Sequence, residues 1–285
     1  LAGVRRSPLA IILLGGKGTR IAALYGDRPK CLVPVAGKPF LQWQLEWLKR
    51  GGVRRVHLAA GHMADVLVRW LETDTPDGME ITYSVEPEPR GTGGAIKYVE
   101  PWIAGETFFV LNGDSLTPAL DFQSLENEHR KTSNDWNRGE ARGDLDDCRD
   151  GVVESSKPSS RIPIEESKPR YASGGEAAGE RLITIGVARI EETGRYGSVE
   201  FDESGRVTAF LEKADRESGW INTGIYCVSR AALAAIKPDR NVSIETDIFP
   251  ALTAQGCLGV LKVDPPMLDM GTPEGLEEME RFLSN

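Results

Sequence analysis

Gly15-Gly16-Lys17-Gly18-Thr19-Arg20 is a cluster of glycines and cations, and Pro29-Lys30 follows ten residues on. Glycine lets a backbone fold tightly around a ligand, and successive N–H groups in such a turn can point at phosphate oxygens. Arg20 and Lys30 add two fixed positive charges, so the segment could hold a polyphosphate by amides and cations together. The spacing rejects two common glycine-loop chemistries. A Walker loop needs Gly-Lys followed by Ser or Thr, and here Lys17 precedes Gly18. A dinucleotide fingerprint needs a small residue at the third place after its second glycine, where Ile21 stands. Two aspartates, Asp114 and Asp269, each follow an apolar run and could bring a carboxylate to the edge of a sheet.

The elements that must position these groups follow from periodicity. Residues 9–14 (LAIILL) form a continuous apolar run ahead of the glycines, which predicts a strand buried on both faces. Arg5 and Arg6 before that run loosely mimic a secretion signal, but the break at Gly15-Gly16 favours a first strand. Further strands are predicted over 55–60, 80–85 and 107–111. Helices are predicted over 39–50, 64–71 and 94–103. The alternation implies an α/β fold, a Rossmann-like, mostly parallel mixed sheet with helices on both faces. Ligands in such sheets bind beyond the carboxyl ends of the strands, where Gly15, Gly16 and Asp114 fall. Strands are expected again over 182–190 and 220–228, a hairpin over 197–213, helices over 230–236 and 244–254, strands near 258–263 and 267–270, and a last helix over 273–283. Residues 132–181 are rich in Ser, Gly, Pro and charge and poor in large apolar residues, which predicts a mobile surface insert in a single 1–285 domain. It divides residues 1–131 from residues 182–285.

Bulk properties narrow the partners. A net charge of −9 argues against nucleic acid, which calls for a broad basic face. The chain has 4 cysteines and 3 histidines without metal-ligand spacing, which argues against structural zinc and for a reduced, cytoplasmic protein. No apolar run is long enough to span a membrane. The partners expected are small molecules, with no nucleic acid and no membrane, and a homo-oligomer is compatible with the sequence.

The stretch over 11–39 (IILLGGKGTRIAALYGDRPKCLVPVAGKP) resembles the signature of the sugar-1-phosphate nucleotidyltransferases. The likeness continues in order through EPEPRGTGG (86–94), LNGD (111–114), RYG (195–197), FLEK (210–213), INTGIY (221–226) and LDMGTP (268–273). Within the family, the heptose 1-phosphate guanylyltransferase branch is similar in the YSVEPEPRGTGGAI block. The chain departs from the family at Leu14, where alanine is usual.

The resemblance implies an enzyme that joins a nucleoside triphosphate to a sugar 1-phosphate, releasing pyrophosphate. It implies Mg²⁺ held by Asp114 and Asp269, and Arg20, Lys30 and Asp114 as catalytic groups. The nucleotide side falls on the backbone of Leu13 and Leu14, on Gly15, Gly16, Lys17, Gly18, Thr19 and Arg20, and on Glu86, Gly91 and Thr92. The sugar-phosphate side falls on Gly197, Glu212, Lys213, Asn222 and Thr223. A carboxylate at Glu86 can accept from both guanine N1–H and the exocyclic amine, which points to GTP, and the resemblance implies a heptose- or mannose-type sugar. A uridylyl- or thymidylyltransferase, and a catalytically silent sugar-nucleotide sensor, remain open at this level.

Overall fold

The computed structural model describes residues 7–16, 26, 28–131, 180–191, 197–211 and 218–285. Lys17, Gly18, Thr19, Arg20, Glu212 and Lys213 lie outside these residues, as do positions 132–179 of the expected insert. In chain order the strands are β1 (Leu9–Leu14), β2 (Pro34–Val35), β3 (Lys38–Pro39), β4 (Arg55–Ala60), β5 (Glu80–Val85), β6 (Thr107–Asn112), β7 (Ser115–Leu116), β8 (Ile183–Ile190), β9 (Ser198–Phe201), β10 (Val207–Leu211), β11 (Gly219–Ser229), β12 (Leu258–Val263) and β13 (Leu268–Asp269). The α-helices are α1 (Phe40–Arg50), α2 (Ala64–Asp74), α3 (Gly91–Tyr98), α4 (Phe122–His129), α5 (Phe249–Ala254) and α6 (Pro273–Leu283).

β1 is the organising strand of the nine-stranded sheet. It pairs in parallel with β4 on one side and β6 on the other, and β4 pairs in parallel with β5. β11 then pairs antiparallel with β6 and with β8, and β12 pairs in parallel with β8. The sheet is therefore mixed, with its parallel half carrying the ends of β1, β4, β5 and β6 to one edge. Ile11 and Ile12 face opposite sides of the sheet and are both fully buried, which is why the run shows no alternation. One face packs Ile12, Leu58 and Leu111 against α1, α2, α4 and α6. The other packs Ile11, Val110 and Tyr226 against α3 and α5. Among the described residues no helix is long and apolar enough to cross a membrane.

Several expectations need correction. The helix expected over 94–103 starts at Gly91 and ends at Tyr98, and a 3₁₀ turn, Glu100–Trp102, follows. Pro101 explains the break, since it offers no N–H and disfavours helical geometry in the residue before it. The helix expected over 244–254 is a π turn, Ile244–Ile248, leading into α5, and that over 230–236 is a 3₁₀ helix, Arg230–Ala235. Helix α4 and the two-residue strands β2, β3 and β7 are additions to the expected elements, while β13 falls inside the strand expected near 267–270. Arg181, counted in the polar insert, is buried, with its guanidinium 2.6 Å from Glu128.

Two buried histidines act as polar pins in the core. His57 of β4 lies between the hydroxyls of Thr82 and Ser84 on β5, at 2.8 and 3.0 Å. His129 lies between those of Thr184 and Ser229, at 3.0 and 2.9 Å. Burial pushes each ring down to about 4, and the Arg181 and Arg130 charges add to this at His129. The unfolded chain then binds more protons than the folded one between the ordinary histidine value and about 4. Their contribution to stability is complete above about pH 6.5 and falls as pH drops through that window. The urea midpoint should therefore decline between pH 6.5 and 5, and a His57→Gln/His129→Gln double variant should lose most of that slope.

Candidate functional site

A cavity of about 460 Å³ opens beyond the carboxyl ends of β1, β5 and β6. Leu13, Leu14, Gly15 and Gly16 form one wall, Glu86 and the turn to Gly91 and Thr92 another, and Asn112, Gly113, Asp114 and Lys30 a third. The strand ends approach so closely that side chains are excluded. The Gly113 N–H donates to Leu13 O at 3.1 Å, and a Cβ on Gly113 would stand 2.5 Å from the same oxygen. Leu14, the position that departs from the family pattern, is buried, and its Cδ2 packs where that Cβ would go.

Asp114 leaves the end of β6 in an Asn-Gly-Asp turn. Its Oδ2 lies 2.5 Å from Lys30 Nζ, and its Oδ1 accepts from Ser115 Oγ at 3.1 Å. Lys30 arrives from a 3₁₀ turn behind Pro29, which presets the backbone angle for the chain entering that turn. The pair is only partly exposed, so it is screened less than a surface ion pair. Asp269 comes to the same place through a two-strand ladder. It stands opposite Ser115 in the β13–β7 pair, and Met270 N donates to Asp114 O at 3.0 Å. Asp269 Oδ1 accepts from Gly271 N at 2.6 Å, and a Cβ on Gly275 would stand 2.0 Å from Asp269 O. The amino end of α6 is thus seated directly against this aspartate.

Glu86 is 9% exposed at the end of β5, and among the described residues its Oε1 has no hydrogen-bond partner. Burial pushes its carboxyl above the ordinary range, while the Arg90 N–H and guanidinium pull it partly back. A buried acceptor without a donor is costly unless something supplies one. Gly91 has φ +70°, and Cβ atoms on Gly91 and Gly94 would stand 2.5 Å from Val242 O and 2.6 Å from Arg240 O. The Arg90–Gly94 turn therefore rests on the backbone of 240–242.

Of the expected sugar-side residues, the described ones, Gly197, Asn222 and Thr223, stand apart from the walls of this cavity. Asn222 and Thr223 lie where β11 slips register against β8, a bulge that re-aims the chain. Asn222 N donates to Gly197 O at 3.0 Å, so these two expected residues are adjacent. Asn222 Oδ1 accepts from Gly224 N at 2.9 Å, and its Nδ2 donates to Tyr226 Oη at 2.8 Å. Thr223 is fully buried, and its hydroxyl donates to Gly186 O at 2.8 Å. Asn112 joins the two regions, since a Cβ on Gly224 would stand 2.5 Å from Asn112 Nδ2.

Residue-type reasoning missed four contributors. Gln44, fully buried on α1, donates through Nε2 to Asn112 O at 2.9 Å and Ser115 O at 3.0 Å. It clamps the turn that carries Asp114. Its signal was available: an amide on the apolar face marked by Leu41, Leu45 and Leu48. Asn112 was also visible, beside Gly113 and Asp114. Asn241 lines the cavity, and Glu245 binds Thr92, without any local sequence signal.

The model of the nucleotidyl transferase family matches residues 9–157 and 170–285. Mannose-1-phosphate guanylyltransferase of Mycobacterium tuberculosis is 31% identical over 93% of this chain, which spans 61% of that relative. D-glycero-alpha-D-manno-heptose 1-phosphate guanylyltransferase of Campylobacter jejuni is 30% identical over 93% of this chain and 95% of its own length. The crystal structure of HddC from Yersinia pseudotuberculosis complexed with GMP-PN superposes with a TM-score of 0.72 at 26% identity, covering 97% of this chain and 99% of that one.

The Gln44 clamp makes a direct prediction. Gln44→Leu keeps the volume roughly but removes the donor that Asn112 O and Ser115 O share, which should cost about 1–3 kcal/mol in unfolding free energy by urea titration. Unchanged stability would show that the clamp is redundant.

Proposed function

This chain belongs to the nucleotidyl transferase family, and from that premise we propose that it transfers a nucleotidyl group from GTP to a mannose- or heptose-type sugar 1-phosphate, giving NDP-sugar and pyrophosphate. The observation that carries the reading is the strand-end cavity, where a lysine–aspartate pair and a buried carboxyl whose Oε1 lacks a donor among the described residues face one space. Guanine offers two adjacent donors to Glu86, whereas uracil and thymine offer one. The guanylyltransferase names of two relatives and the guanine nucleotide of the Yersinia complex support the same base.

The reaction needs no covalent intermediate. A sugar phosphate oxygen forms a bond to the α-phosphorus while the bond from that phosphorus to the β-bridging oxygen breaks, and pyrophosphate leaves with the electron pair. The attacking group is already anionic near neutral pH, so no proton has to be removed. What remains for the protein is alignment and charge neutralisation. Lys30 is assigned to the α-phosphate, and Arg20 of the glycine loop to the leaving pyrophosphate. Lys213 is assigned to the incoming phosphate, with Glu212, Asn222 and Gly197 on the sugar. Asp114, in the turn before β7, and Asp269, on β13, are joined through the Met270 N–Asp114 O bond and would form an oxygen donor set suited to Mg²⁺, which takes few protein carboxylates. When bound, the ion would neutralise the phosphate oxygens of both substrates.

Pyrophosphate release over a panel of triphosphates and sugar 1-phosphates tests the proposal. GTP with mannose 1-phosphate or a heptose 1-phosphate should give the highest kcat/KM, and Asp114→Ala should lower kcat by about 10²-fold or more at saturating Mg²⁺. Turnover confined to UTP or dTTP would refute the base assignment. Glu86 gives a second test. Its raised carboxyl takes up a proton earlier than an ordinary glutamate as pH falls, so the KM for GTP should rise on the acid side of neutrality. Glu86→Gln should start with a higher KM and lack that acid-side rise.

A further inference from the structure

Thr92 and Asn222 belong to opposite halves of the proposed site, yet both end on one carboxylate. Glu245 Oε2 accepts from Thr92 Oγ1 at 2.8 Å and from Ser243 Oγ at 2.9 Å. Its Oε1 accepts a longer bond, 3.4 Å, from Tyr226 Oη, which itself accepts from Asn222 Nδ2 at 2.8 Å. Thr92 Oγ1 in turn accepts from Ile244 N at 2.9 Å.

The directions of these bonds are forced. An ionised carboxylate only accepts, so the Thr92, Ser243 and Tyr226 hydroxyls must all donate to it. Thr92 has then spent its one proton on Glu245, and what it offers the base turn is anchorage. Asn222 is fixed in the same way: with Nδ2 on Tyr226 and Oδ1 on Gly224 N, its amide cannot flip. Tyr226 is fully buried among Phe249 and its neighbours, and burial first, then the nearby Glu245 charge, pushes its hydroxyl well above the ordinary tyrosine value. It therefore stays a donor.

Glu245 sits in the π turn Ile244–Ile248, an uncommon backbone form that recurs at functional sites. The Gly91–Gly94 turn packs on the segment just before it, and the N–H groups of Gly93 and Gly94 both donate to Val242 O, at 2.8 and 3.2 Å. The segment 240–245 thus carries the base turn by backbone contact and the sugar strand by side-chain contact.

We propose that Glu245 is a positioning residue that holds the base-binding turn and the sugar-binding strand in one register, so that the placement of each substrate depends on the same carboxylate. This rests on the functional reading above. Glu245 has no contact with the reacting atoms in it; it acts through Thr92 on one side and through Tyr226 and Asn222 on the other.

Three conservative variants separate the two arms. Glu245→Gln retains size but replaces one acceptor oxygen with a donor, so it should raise KM for both the triphosphate and the sugar 1-phosphate about fivefold or more. Tyr226→Phe cuts only the sugar arm and should raise the KM for the sugar phosphate alone. Thr92→Val cuts only the base arm and should raise the KM for the triphosphate alone. Thermal melts run alongside show whether each variant is folded. If Glu245→Gln fails to fold, the Tyr226→Phe and Thr92→Val pair decides the matter. The proposal is overturned if folded Glu245→Gln leaves both KM values within twofold of wild type, or if the single-arm variants each raise both KM values equally. Wild-type protein that turns over no substrate pair would instead bring down the functional reading on which the proposal rests, and the proposal with it.

Discussion

The site depends on a steric constraint at the ends of two strands. β1 and β6 run in parallel until Leu13 faces Asn112, and the next residue, Gly113, donates to Leu13 O across a gap that admits no side chain. Any Cβ at that point would meet backbone 2.5 Å away, and backbone cannot step aside as a flexible side chain can. Because the gap stays closed, the turn carrying Asp114 sits beside the glycines that follow β1. A second close approach repeats the theme, since a Cβ on Gly61 would stand 3.0 Å from Gly15 Cα. The cavity is thus shaped by where atoms are missing, and the charged groups around it inherit their positions from that packing.

Charge is arranged locally against the trend of the whole molecule. The chain carries a net −9, yet Lys30 lies within bonding distance of Asp114 in a partly enclosed corner. A lysine alone there would pay for desolvation, and an aspartate alone would repel phosphate; paired, each is tolerable before a ligand arrives. Among the described residues, the charged side chains that line the cavity, Lys30, Arg90, Glu86 and Asp114, are two of each sign. Positional selectivity follows from this economy, because a diffuse basic surface would attract polyanions of every kind.

Much of this was readable in the residues, and the part that was not has a clear physical reason. LAIILL and RVHLAA fall on β1 and β4 with the expected ends, since a strand inside a parallel sheet must be apolar and glycine or polar residues must close it, while EITYSV falls on β5, the mostly exposed edge strand, marked by its β-branched and aromatic residues. Lys30 and Asp114 were picked out by type and spacing, and Glu86, Gly91 and Thr92 by the family resemblance; the structure gathers all of them around one cavity. Gln44 was half-visible, as a lone amide on an apolar face. Glu245 was invisible, because a glutamate in Ser-Ile-Glu-Thr-Asp looks like any solvated turn; its role comes from partners far away in sequence, Thr92 and Tyr226. The two-residue strand β7 is hidden for a related reason, as two residues carry no periodicity.

The β7–β13 ladder carries a consequence for how the molecule is assembled. β1, β4, β5 and β6 all lie within the first 112 residues, so most of the parallel half of the sheet can form from neighbouring segments. Asp269 reaches Ser115 and Asp114 only when chain from near the far end returns to the start of β7. Contacts between distant segments carry a larger loop-closure cost and tend to form after local ones. During synthesis the cavity walls built from 13–16, 86–92 and 112–114 would therefore be made well before Asp269 emerges to join Asp114.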